Sequence, residues 1–412
     1  MAAVIVYSVL SRLRLPVAVV AALVVAEAAV LLMRPRDRLE PVAVAPETYF
    51  SAAQIERAED FRSGQLWLYG ARLAIELGLL VVIVRRPPRW LGRRPLAAGA
   101  ATAAGISVAL TIATLPVSAI SRERRKDVGL VTQDWVGWAG DVVKGTAIEA
   151  LLIGAGGALL VFGMRRFGRR WWAPGAALVV AFGVVMTYAS PILISPLFNT
   201  FTPLPQNELR ADVTDMAERA GVQVGEVYVM DASRRTTAAN AYVAGLGSTK
   251  RVVLYDTLLE EFTPGEVRLV VAHELAHQHF RDVPHGLLYL AIVTPFGMLA
   301  AARIGERLGG TVPAVFLAIA IMLPAVTIVS NQLSRDVEAR ADRYAMELTG
   351  DPEQLIAFER RITVQNVSDP APPGWVSFLL GTHPTTMQRI GQALALSRGA
   401  PEAGDAGTPG GS

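Results

Sequence analysis

The segment "VVAHELAHQHF", Val270 to Phe280, holds three of the five histidines in a chain of 412 residues. Just upstream, Thr263, Pro264 and Glu266 read as a helix start, with Thr263 as N-cap, Pro264 at the first helical position and Glu266 closing a capping box. On that helix His273 and His277 stand four residues apart, so their imidazoles share one face a single turn apart. Two imidazoles so placed can reach one Zn²⁺ at about 2.0–2.1 Å. Glu274 follows the first of them and can serve as general base toward a water there. The bland alternative is a pair of surface histidines on an ordinary helix. His279 falls on a different face and is not expected to be a ligand, and His285 is expected near a membrane interface.

Composition narrows the setting. There is no cysteine, so no disulfide framework and no thiolate site can form, and any metal must be held by His, Asp or Glu. The chain is 52% hydrophobic with a formal charge of only +3. Its arginines fall in short clusters between apolar runs, the charge placement of membrane proteins; this argues against a nucleic-acid partner. No Gly-rich phosphate loop precedes a helix.

Seven apolar runs are long enough to cross a bilayer, which takes about 17–25 residues. They extend from about Pro16 to Met33, Leu66 to Val84, Leu96 to Ile120, Thr146 to Met164, Trp172 to Ile194, Leu287 to Ile304 and Val312 to Val329. The first lacks a small-residue cleavage site and runs into the Arg-rich "MRPRDRLE", so it reads as a span and not a removed signal peptide. Glu27, Arg72, Glu76 and Glu149 lie in or near spans, where a charge must face a partner or water. Two polar regions remain, about 199–285 and from about 331 onward. In the first, "PLPQNELRADVTDMAERAGV" reads as an amphipathic helix ending at Gly221, and "EVYVMDAS", "AYVAGLG" and "RVVLYDT" read as short strands. The tail from about Gly399 is low-complexity and expected to be disordered.

A catalytic zinc takes three protein ligands and keeps one position open. After the seventh run, "SRDVEARADRYAMEL" places Glu338 and Asp342 four apart on a helix. One could ligate while the other orients a histidine through its second nitrogen. The competing reading is a solvated helix in which Arg335, Arg340 and Arg343 pair with these acids.

Taken together, "VVAHELAHQHFRD", "SNQLSRDVEARADRYAMEL", "ISPLFNTFTPLPQNELR", "RRTTAANAYVAGLGSTKRVVLYDTLLE" and "GTHPTTMQRI" resemble, in order, the type I CAAX prenyl protease family of integral-membrane zinc endopeptidases. "ERRKDVGLVTQDWVGWAGDVVKG" resembles that family's membrane half. The resemblance implies a mainly α fold: about seven transmembrane helices enclosing a wet chamber, with a zincin-like α+β protease domain split around the sixth and seventh spans. Residues 1–198 would form the membrane half and 199–398 the protease half. It also implies one Zn²⁺ per chain on His273, His277 and Glu338, Glu274 as base and Asp342 orienting a ligand. His383 and Arg389 would sit near the scissile carbonyl and substrate backbone, where a donor stabilises an oxyanion. Asn240 would hydrogen-bond a substrate lying along an edge strand at Tyr242 to Ala244.

The expected activity is hydrolysis of peptide bonds in a peptide or protein substrate, lipid-modified or membrane-associated, from a bacterial plasma membrane. A membrane-protein quality-control protease and a non-catalytic transporter or scaffold are the alternatives. Basic segments balance across the membrane, "RRPPRWLGRR" and "RRFGRR" against "MRPRDRLE" and "SRERRK", so charge leaves the orientation open.

Overall fold

Six of the seven apolar runs become helices longer than the run that marked them, because their flanks continue the helical hydrogen bonding, and the fifth ends one residue short at Leu193. The computed structural model describes residues 2–36, 39–86, 95–245 and 250–399. The spans are α1 (Ala2–Met33), α2 (Ala52–Arg85), α3 (Pro95–Asp127), α4 (Trp135–Phe167), α5 (Trp172–Leu193), α9 (Asp282–Arg307) and α10 (Val312–Thr349). All seven are long and apolar enough to cross a membrane. Residues 400–412, the expected disordered tail, lie outside the described residues, as do parts of "MRPRDRLE" and "RRPPRWLGRR".

Contacts close these helices into a circuit: α2 on α3, α3 on α4, α4 on α5, α5 on α9, α9 on α1, α1 on α10, and α10 back on α2. This is the wall of a membrane chamber. The α3–α4 seam is the tightest, since a Cβ on Gly157 would overlap the carbonyl oxygen of Gly99. Small residues let the backbones meet where no hydrophobic driving force separates lipid from helix. The charge pair inside the spans is satisfied locally, with Arg72 Nε donating to Glu76 Oε1 at 2.7 Å.

The protease half begins with a strand that the sequence reading missed, β1 (Phe201–Pro203). The amphipathic helix α6 (Glu208–Arg219) therefore starts later than expected, capped by Asn207, and ends before Gly221 at φ 67°. With β2 (Glu226–Met230), β3 (Ala241–Ala244) and β4 (Arg251–Tyr255), β1 forms a sheet of order β1-β2-β4-β3. Among the described residues β3 pairs only with β4, antiparallel, and leaves its other side as a free edge. After α7 (Asp256–Glu261) comes α8 (Pro264–His279), whose capping box forms as expected: Thr263 N–H donates to Glu266 Oε2 at 2.7 Å. Then follow α11 (Pro352–Gln365), α12 (Gly374–Leu380) and α13 (Thr386–Gly399).

One apolar core binds α8 to the sheet and to the end of α10, through Val252, Leu254, Leu275, Met346 and Leu355. The seventh span and the "SRDVEARADRYAMEL" helix are a single rod of 38 residues. The membrane segment and the carboxylates of Glu338 and Asp342 are thus carried by one continuous helix.

Candidate metal centre and active site

Three lone-pair atoms converge between α8 and α10. His273 Nε2 lies 3.2 Å from His277 Nε2 and 3.1 Å from Glu338 Oε2, and His277 Nε2 lies 3.8 Å from the same oxygen. Ligands about 2.0–2.1 Å from a tetrahedral metal sit about 3.3 Å apart, so the donor set fits an ion of zinc's size and preference. Glu274 brings a further carboxylate within 4.8 Å of both imidazole donors.

The outer nitrogens are already spoken for. His273 Nδ1–H donates to Asp342 Oδ1 at 2.8 Å, and His277 Nδ1–H donates to Asp282 Oδ2 at 2.9 Å. Each hydrogen bond fixes the tautomer that turns Nε2 inward. Asp282 reaches its histidine because Arg281 sits in the left-handed region at φ 57°, turning α8 sharply into α9. Such backbone costs about 1–3 kcal/mol in a non-glycine residue and persists where the surroundings hold it. Arg340 in turn pairs with Asp282 and stacks over Phe280 at 4.0 Å.

The expectation for Arg389 changes. Its Nε and Nη2 hold Asp342 at 2.6 and 2.5 Å, and its Nη1 pairs with Glu359. All three guanidinium nitrogens thus face the carboxylates of Asp342 and Glu359, because the first turn of α13 aims the side chain at α10. The solvated-helix reading of α10 fails at the same place. Asp342 is fully buried, Arg335 donates to the carbonyls of Ser377 and Gly381, and Arg340 is committed to Asp282.

His383 stands at the rim, half exposed, with Nε2 3.5 Å from Glu338 Oε2 and Nδ1 2.9 Å from the Thr382 hydroxyl. If that hydroxyl donates, Nε2 carries the proton and faces the metal donors. The other expected residues divide. Asn240 lines the same cavity of about 530 Å³ as His273, Glu274, His383 and Arg389. Tyr242 packs against Met230 and Val253, so it and Ala244 offer the backbone of the free edge. His279 accepts no metal role here: it stacks on Tyr344 and its Nδ1 meets Ala220 O at 2.8 Å.

Burial and charge compete across the site. Burial alone would lower the His273 pKa, but the carboxylates of Asp342 and Glu338 outweigh it and push it up to about 10. Burial raises the Glu274 carboxyl above its ordinary value, against the pull of His273 and His277. Desolvation lowers His383, with Glu338 opposing.

Sequence reasoning missed Asp282, Arg340 and Glu359. Glu359 had a signal: it shares a helical face with Leu355 and Thr363 at four-residue spacing, and all three are buried. A lone acid on a buried face needs a cation, and Arg389 is that cation.

Comparisons with known proteins agree along the chain. Residues 203–397 match the model of peptidase family M48, and residues 79–200 match that of the CAAX prenyl protease N-terminal region with five membrane helices. An uncharacterized metalloprotease, YhfN of Bacillus subtilis, is 30% identical over 316 residues, 73% of this chain and 74% of that protein. A CAAX prenyl protease 1 homolog of Arabidopsis thaliana is 29% identical over 264 residues, 61% of this chain and 62% of that protein. The crystal structure of S. mikatae Ste24p shares the fold, with a TM-score of 0.73 at 19% identity over 93% of this chain and 99% of that one.

Proposed function

Because the chain belongs to peptidase family M48 and is a multi-pass membrane metalloprotease, we propose that it is a zinc-dependent endopeptidase with His273, His277 and Glu338 as metal ligands. The observation that carries this is the convergence of three donor atoms whose outer nitrogens are already held by Asp342 and Asp282. Zinc held there would supply a Lewis acid for the scissile carbonyl and lower the pKa of the attacking water.

The chain's own groups do the rest. Glu274 takes the proton of the attacking water on its carboxylate and passes it to the leaving nitrogen. Its raised pKa suits a group that must both accept and return a proton. His383, through Nε2–H, donates to the oxyanion that forms as the carbonyl carbon becomes tetrahedral. Asp342 and Asp282 hold the two imidazoles in the productive tautomer, and Arg389 holds Asp342. The free edge of β3, with Asn240 at its start, takes the substrate backbone as an added strand.

A peptide or protein at the membrane is the substrate class, since the chamber wall and the cavity belong to one molecule. The Arabidopsis relative's name makes lipid-modified C-termini one candidate among such substrates. The Bacillus relative supports a bacterial plasma membrane as the location. Purified protein should contain one zinc per chain and cleave a peptide library, and Glu274→Gln should keep the zinc and lose the cleavage. Metal-free protein with undiminished hydrolysis would overturn the reading.

A further inference from the structure

Two features that folded chains avoid fall on consecutive residues at the wall of the catalytic cavity. α11 closes in a Schellman-type turn, in which Val367 N–H donates to Val364 O at 3.2 Å and Ser368 N–H to Thr363 O at 2.9 Å. The residue that makes such a turn takes a left-handed backbone and is usually glycine. Here it is Val367, at φ 49°, a β-branched residue in a sterically strained conformation. Its side chain is buried and lines a small space with Phe50, Ile55 and Ala58, where the chain enters α2. That packing holds the turn. The residue just before it, Asn366, lines the catalytic cavity together with Asn240, His383 and Arg389. Its Oδ1 is shielded from solvent and accepts no hydrogen bond among the described residues. A shielded amide oxygen without a donor is a net loss to the fold. Strain and an unmet acceptor thus coincide beside the site of chemistry.

The backbone nearby shows what that acceptor can serve. β3 begins at Ala241, and the stretch leading into it has already committed its groups. Thr236 N–H donates to Ala232 O at 3.0 Å, and Thr237 O accepts from Gln365 Nε2 at 2.7 Å. Ala238 N–H donates to Thr236 Oγ1 at 3.0 Å, and Ala238 O accepts from Thr257 Oγ1 at 2.9 Å. A peptide paired with β3 that runs on past Asn240 therefore meets backbone that is already engaged. Gln365, which holds Thr237, is the neighbour of Asn366, so the end of α11 is tied to this same stretch. Where the strand stops offering partners, the carboxamide of Asn366 offers one.

We propose that Asn366 is a substrate-binding residue whose Oδ1 accepts one backbone N–H of a peptide paired with β3, just beyond the end of that strand. Val367, held by the start of α2, keeps the carboxamide in place. An acceptor already removed from solvent in the free protein has no further desolvation to undergo when the substrate N–H arrives. The contact reads backbone and not side chain, so it accepts any residue with a free N–H at that position and refuses proline. The inference rests on the endopeptidase reading above and deepens it, adding a residue that selects substrates by their main chain.

The test uses full-length, zinc-loaded protein and a quenched peptide in which one amide at a time, the scissile bond excepted, is replaced by an ester that lacks the N–H. In wild-type protein one position should lose about 3- to 10-fold in kcat/KM to Asn366, the contribution of one neutral hydrogen bond. In Asn366→Ala the ester at that position should cost nothing further, while penalties at positions paired with β3 persist. Asn366→Leu, which keeps the volume and drops the unmet acceptor, should fold at least as stably and erase the same penalty. Asn366→Asp, which keeps an acceptor in the same place, should retain it. Binding of the same peptides to Glu274→Gln, with and without Asn366→Ala, reads the contact without turnover. No hydrolysis of any peptide by wild-type protein would sink the endopeptidase reading, and the binding series would still judge Asn366. If Asn366→Ala and Asn366→Leu leave every ester penalty in place, whatever their overall activity, the proposal is overturned.

Discussion

Asp342 and His273 meet at 2.8 Å, Oδ1 to Nδ1, with the carboxylate wholly buried and its other face held by Arg389. Glu338, one turn back on the same helix, reaches Nε2 of the same ring instead. Two acids on one helical face thus grip opposite nitrogens of a single imidazole, and this separates their roles. Glu338→Ala should strip most zinc from the protein. Asp342→Ala should lower affinity about 10- to 100-fold, as loss of an outer partner does, and keep zinc when it is supplied in excess. Metal content after identical purification decides; the reverse pattern would exchange the two assignments.

Glu274→Gln should keep its zinc and lose about 10²–10⁴-fold in turnover, because the group acts on protons and not as a ligand. Near-normal cleavage by the purified variant would remove Glu274 as the base.

His383→Ala should lower kcat more than it raises KM, since a donor to the oxyanion acts mainly in the transition state. An unchanged kcat with a raised KM would make the imidazole a substrate-binding group. The half-exposed rim position and the inward Nε2 favour the first outcome.

Glu359 should write a signature on stability against pH. Burial pushes its carboxyl up to about 7, with the charge of Asp342 adding and Arg389 opposing. A folded pKa above the unfolded value contributes stability that is full below about pH 4.5 and lost as pH rises through about 7. Thermal unfolding of zinc-loaded protein should therefore weaken across that window, and Glu359→Gln should flatten the slope. Parallel curves for the two proteins would show that the carboxyl is not the titrating group.

Much of the site was legible because helical spacing is local. His273, His277, Glu338 and Asp342 each announce themselves at four-residue intervals, and the structure brings all four together. What was not legible depends on backbone turns and on neighbours distant in sequence. Asp282 serves His277 only because Arg281 adopts a left-handed conformation, which no side-chain pattern signals. Arg389 looked forward to substrate in the sequence and looks back to Asp342 in the fold, since its direction is set by how α13 docks on α10. β1 was too short at three residues, with a proline in it, to read as a strand; pairing with β2 makes it one.

The unbroken α10 makes the bilayer a mechanical input. Pro324 sits within the membrane portion of that helix, where the missing N–H lets the rod flex. From Pro324 to Glu338 the rod extends about 21 Å at 1.5 Å per residue. A tilt of about 5° there would swing Glu338 by nearly 2 Å (about 21 Å times the sine of the tilt), far beyond the scatter of about 0.2 Å that metal–ligand distances allow. Membrane thickness, which biases helix tilt, thus bears on a helix whose far end carries Glu338. The contacts of α10 with α1, α2, α3 and α9 are the bearings that keep that helix still.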